Sequence, residues 1–113
     1  MIFFFSSYSF SQLIISELAD PNDNAGARFV EIYNVSGSAV DLTDWELRRW
    51  TNGNAGPQGT GVDLTPVSSL AANSFIIVAA NAVEFEEVYG FAPDIEAGTG
   101  GAADSNGDDQ IAI

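Results

Sequence analysis

Apolar residues in this chain recur mostly at every second position, in short runs broken by Gly, Pro, Asn and Asp. A period of two places alternate side chains on opposite faces of an extended strand. Leu13 to Ala19 (LIISELA) is β-branched and ends at Asp20-Pro21-Asn22-Asp23-Asn24, a cluster that favours a turn and cannot continue a strand. Arg28 to Val35 reads as a second strand, with Phe29, Glu31 and Tyr33 on one face and Val30 and Ile32 on the other. The turn Asn34-Val35-Ser36-Gly37-Ser38 follows, then a brief strand over Ala39 to Leu42 and a turn at Thr43-Asp44. Trp45 to Thr51 sets Trp45, Leu47 and Arg49 against Glu46, Arg48 and Trp50. Asn52 to Gly61 is a Gly- and Asn-rich loop, and Val62 to Thr65 a brief pairing segment. Ser74 to Ala80 (SFIIVAA) is the most continuously apolar segment, as a central strand would be.

The period changes once. Asn81 to Tyr89 carries an N-cap at Asn81, Glu84 three residues on as the capping-box partner, Phe85, Val88 and Tyr89 on one face, and Gly90 as the stop. Ala97 to Asp109 is a Gly/Ala/Asp loop, and Gln110 to Ile113 begins a last strand. Several short strands with frequent turns and one short helix predict an all-β fold, a β-sandwich.

The length, 113 residues, suits one domain. Composition then narrows the chemistry. Sixteen acidic residues face three arginines, with no lysine or histidine, for a formal charge of −13. Such a surface repels phosphate backbones, so nucleic acid is not an expected partner, and the charge suits a saline extracellular setting. Without His or Cys the chain has no thiol nucleophile, no soft-metal site and no imidazole base. Any chemistry would rest on carboxylates, hydroxyls or a hard cation.

The opening run MIFFFSSYSFSQ is aromatic, then rich in small residues, with Ser9 and Ser11 spaced as at a signal-peptidase site before Gln12. Residues 1–11 are therefore read as part of a secretory signal, the start of a hydrophobic first strand being the alternative, and residues 12–113 as the domain. The run is too short to span a bilayer.

Asp104, Asn106 and Asp108 have the D-x-N-x-D spacing that arrays oxygen ligands around Ca²⁺. Asp109 stands where such a loop usually has Gly, and a twelfth-position glutamate would fall beyond Ile113. The bland alternative is a polar turn leading into the last strand. Asp20, Asp23 and Asn24 form a second, weaker loop of this kind. Glu31 invites comparison with a catalytic acid, having Glu17 and Glu46 as conceivable partners, but a sheet-face residue paired with Arg48 or Arg49 is the expected role. Arg48-Arg49 with Trp50 could instead form a small cation–aromatic binding patch. Asn34-Val35-Ser36 is formally a glycosylation sequon, which a turn asparagine explains without sugar.

Taken in order, LIISELAD, RFVEIYN, VDLTDWELRR, SFIIVAANAVEFEEVYG and NGDDQIAI resemble the lamin tail domain, especially its secreted bacterial branch. The resemblance implies an immunoglobulin-like sandwich with Phe29, Trp45 and Phe75 as core anchors, and a closing strand or two beyond Ile113. No heptad rod accompanies it. The function it implies is non-catalytic: a secreted or cell-surface binding, adhesion or spacer module of a larger protein, with a protein or polysaccharide ligand. Accessory duty beside a secreted nuclease or other hydrolase is the alternative.

Overall fold

The computed structural model describes Met1 and residues 11–113. Nine strands and one α-helix are present among these residues. One sheet has the order β1 (Leu13–Ala19), β2 (Phe29–Asn34), β7 (Phe75–Ala79), β8 (Ile95–Glu96). Opposite it lie β5 (Val62–Asp63), β4 (Glu46–Trp50) and β9 (Gln110–Ala112), with the small pair β3 (Val40–Asp41) and β6 (Ser69–Leu70). All pairings are antiparallel except β7 with β8.

Alternation makes the two layers. Val30 lies opposite Val78 and Ile32 opposite Ile76, and these four pack with Leu13, Val40, Leu42, Leu47, Leu64 and Leu70 in one aliphatic core. The other face of the same strands carries Phe29, Glu31 and Tyr33 opposite Ala79, Ile77 and Phe75. Part of that face is covered by α1 (Ala82–Tyr89), whose Phe85 is fully buried against Phe29, Ile77 and Ala79. Phe29 meets Phe85 and Tyr89 edge to face, with ring centroids 5.4 and 5.2 Å apart, the geometry that aromatic quadrupoles favour. Phe29 thus anchors an outer aromatic cluster and not the space between the sheets.

The helix begins and ends where the sequence places it. Asn81 Oδ1 accepts from the Glu84 N–H (3.0 Å), and Gly90 closes the helix at φ 83°, a conformation open to glycine. The expected reciprocal bond, the Asn81 N–H donating to the Glu84 carboxylate, is replaced, because that N–H donates to the Gly26 carbonyl (3.0 Å). Glu84 instead packs where a Cβ on Gly26 would stand. Glu96, from β8, supplies the second cap by accepting from the Ala82 N–H (2.8 Å).

Three other expectations change. Phe75 is 51% exposed, because its parity in β7 turns it to the outer face beyond the reach of the helix. Val88 is also exposed, while Phe85 alone of the helix is fully covered. Trp45 precedes β4 and packs at the margin of the core, half-buried. The expected signal segment, residues 1–11, falls for the most part on residues 2–10, Ser9 of its cleavage site included, which lie outside the described residues.

Candidate functional site

Three cations must serve sixteen carboxylates, and each arginine is ion-paired. Arg28 bridges two chain segments. Its Nε donates to Asp20 Oδ1 and its NH1 to Asp104 Oδ1, both at 2.7 Å. Asp20 follows the end of β1, and Asp104 lies in the loop after β8, so one guanidinium ties these two distant segments together.

Arg49 fastens the same loop from the other sheet. It is buried in β4, donates from NH2 to the Gly100 carbonyl (2.9 Å) and faces Asp109 Oδ2 at 3.6 Å, with side-chain exposures of 7% and 2% for the pair. Its Nε is buried and has no hydrogen-bond partner among the described residues. Asp104 completes the tie by accepting from the Gly100 N–H (2.8 Å). Burial works to raise the Asp104 carboxyl, but the Gly100 N–H and the Arg28 guanidinium outweigh it and hold it below the usual carboxylate range. The Asp104 and Asp20 carboxylates push the Arg28 guanidinium above its ordinary value. Gly101 is required for closeness: a Cβ there would collide with the Ala97 and Gly98 carbonyls.

Between the tied segments lies a half-open cavity of about 150 Å³. Leu18, Ala19 and Phe29 give it an apolar side; Asp20, Ser105, Asn106, Gly107 and Asp109 give it a polar one. Leu18 reaches it through a bulge in β1. Ile15 pairs with Ile32 and Glu17 with Glu31, so Ser16 is the extra residue, and Leu18 comes opposite Val30 yet remains exposed.

Of the three calcium candidates, Asn106 and Asp108 meet each other and Asp104 is engaged elsewhere. Asp104 faces Arg28 and Gly100 as described, whereas Asp108 is exposed. With its amide nitrogen turned toward them, Asn106 donates to Asp108 Oδ1 (2.5 Å) and Asp109 Oδ2 (3.3 Å). Asn24 of the second loop caps a short 3₁₀ turn, accepting from the Gly26 and Ala27 N–H groups (3.1 and 3.3 Å). Among the described residues no group of three or more Asp, Glu, His or Cys is arranged to hold a metal ion.

Glu31 does not pair with Arg48 or Arg49. It accepts from the Ser16 hydroxyl (2.7 Å) and lies directly across from Glu17, while Arg48 takes Glu46 (2.6 Å) and Arg49 takes Asp109. The reason is layering: Glu31 is in the β1-β2-β7-β8 sheet and both arginines are in β4 of the other. Neither Glu17 nor Glu31 lines the cavity.

Asn34 has the opposite fate from that of a sugar acceptor. It is fully buried, and its amide nitrogen donates to the carbonyls of Ser38, Leu70 and Ala71 (2.8, 3.0 and 3.1 Å) while its oxygen accepts from the N–H and hydroxyl of Ser36. The sequon serine is thus a structural partner of its own asparagine. Among the described residues no helix is long and apolar enough to cross a membrane.

The order of these strands, the single helix after the central strand and the acidic turn before the last strand form one pattern. A model of the lamin tail domain matches residues 6–113, nearly the whole chain. The chain belongs to the lamin tail domain family. This is an immunoglobulin-like, non-catalytic domain family. No similar curated protein and no similar solved structure was found.

The lamin tail domain's cavity was only partly legible beforehand. The spacing of polar residues marks Asn106 and Asp20 as cation candidates, whereas nothing local marks Leu18, Arg28 or Asp109 as part of a cavity. The usable signal was the scarcity of cations: with three in the chain, each arginine marks a place where carboxylates gather.

Proposed function

We propose that this lamin tail domain is a non-catalytic binding module, displayed outside the cell as part of a larger secreted or surface protein. The observation that carries the reading is the cavity between the end of β1 and the Ser105–Asp109 loop, walled by segments that Arg28 and Arg49 fasten to two different sheets. Loops held on a rigid sandwich are a common setting for recognition sites, since the scaffold limits the entropy lost on binding. The −13 charge and the aromatic N-terminal run support the extracellular part of the reading.

The ¹⁵N-labelled chain titrated with a panel of neutral oligosaccharides and short peptides tests binding. Saturable shifts at Leu18, Phe29 and Ser105–Asp109 are expected for at least one member. A panel that moves none of these resonances at millimolar concentration removes the reading. Immunodetection of the chain in culture supernatant or at the surface of its host tests location, and exclusive recovery from the cytoplasm refutes it.

A further inference from the structure

We propose that the cavity takes the side chain of a lysine or arginine presented by a basic segment of a partner polypeptide; this deepens the binding-module reading and rests on it. The first reason is size. At about 150 Å³ the cavity is smaller than the roughly 300–1,000 Å³ of pockets for drug-sized ligands, and suits a single extended side chain.

The second reason is the distribution of its lining. Leu18, Ala19 and Phe29 form an apolar wall, and the two carboxylate residues Asp20 and Asp109 with the amide residue Asn106 line the other side. A lysine or arginine has the matching division, an aliphatic stem that packs on apolar surface and a cationic head that seeks oxygen acceptors. An anionic head would meet these carboxylates unfavourably.

The third reason is charge complementarity. Asp20 and Asp109 line the cavity, and Asp104 and Asp108 stand beside it in the same loop as Asp109. Asp20, Asp109 and Asp104 pair with Arg28 and Arg49, while Asp108 is exposed and in no ion pair among the described residues. Four carboxylates thus meet two guanidiniums, an excess of two negative charges, four minus two. The arginines compensate part of this charge and do not exhaust it. Over the whole domain the balance is −13, so a basic segment is drawn toward the surface before it finds the cavity. A second copy of this chain is a poor occupant, because it brings the same charge and no lysine.

The probe is the blocked pentapeptide Gly-Gly-Lys-Gly-Gly, titrated at low salt into the ¹⁵N-labelled chain beside its Gln-for-Lys counterpart and a neutral oligosaccharide. Saturable shifts confined to Leu18–Asp20, Phe29 and Ser105–Asp109 are expected, weaker by about tenfold or more with the Gln peptide and in the Leu18→Ser variant. Leu18 is exposed, so that variant retains the fold, as its resonance dispersion will verify. Shifts spread over the acidic surface, equal affinity for the two peptides, or binding indifferent to Leu18→Ser each overturn the proposal. If the oligosaccharide alone moves these resonances, the cationic ligand is wrong while the binding module stands. If nothing in the wider panel moves them, both are wrong.

Discussion

The aliphatic core between the sheets and the loop from Ala97 to Asp109 are held in place by different forces. In the core, Val30, Ile32, Leu47, Ile76 and Val78 interlock from both layers, and nothing there titrates. The loop is rich in Gly, Ala and Asp, and is positioned by two arginines, a carboxylate that bonds back to its own backbone, and the small buried residues Ala102 and Ala103. Burial is non-directional and indifferent to pH, whereas ion pairs depend on geometry, protonation and salt. The difference teaches that pH and salt should act on the ion pairs of this loop before they act on the sandwich, to which Ala102 and Ala103 still join it.

The largest effect should come from the packed side. Phe85→Ala removes the ring that joins the helix to Phe29, Ile77 and Ala79, and is expected to cost about 3–5 kcal/mol in a urea melt. A loss below about 1 kcal/mol would show that the helix is not part of the cooperative unit.

On the loop side, Arg49→Met leaves Asp109 buried without its cation, at an expected cost of about 3 kcal/mol. Adding Asp109→Leu to that variant should recover most of the loss, because the orphaned charge leaves too. A double variant no more stable than the single one would mean that Arg49 acts chiefly through Gly100 and Gln58.

Asn34→Ala tests a joint that belongs to neither region. Three carbonyls lose their donor, for an expected cost of about 2–3 kcal/mol. The same burial predicts that the folded chain is a poor substrate for glycosylation at Asn34, which intact-mass analysis after exposure to an oligosaccharyltransferase will check.

The smallest effect should be the most dependent on pH. Arg28→Ala is expected to cost about 1 kcal/mol at neutral pH, since its Asp20 partner is well exposed. The folded Asp104 carboxyl is held below its unfolded value, so its contribution is present above the unfolded value near pH 4 and is lost as pH falls through the lower folded value. The stability gap between Arg28→Ala and the parent should therefore close on acidification below about pH 4, and stay constant between about pH 6 and 8. A gap that is flat through the acid range would sever Arg28 from Asp104. High salt should shrink this gap and leave that of Phe85→Ala unchanged.

The two regions also differ in how far the sequence foretells them. Alternation in FVEIYN and the apolar run FIIVA predict both strands, and in FVEIYN which residues share a face, because side-chain parity is a local property of an extended backbone; which face is inward is not local. The Asn81 cap and the Gly90 stop were legible for the same reason, being interactions between residues a few positions apart. Phe75 shows the limit of such reasoning. Its parity set its face, but whether that face was covered depended on where an eight-residue helix came to rest.

The sequence by itself determined the class of the fold, the order of its main strands, the site of its helix and a formal charge of −13. Tertiary structure alone decided which carboxylates Arg28 and Arg49 meet, whereas Arg48 takes Glu46 two positions away on its own strand. Arg28 finds Asp104 across 76 positions of chain, and Arg49 meets Asp109 and not Glu31 because the two sheets separate residues that charge alone would have paired. An ion pair between distant segments has no period to read along a chain. Its partners are selected by how the layers stack, and the cavity between β1 and the Ser105–Asp109 loop is a product of that selection.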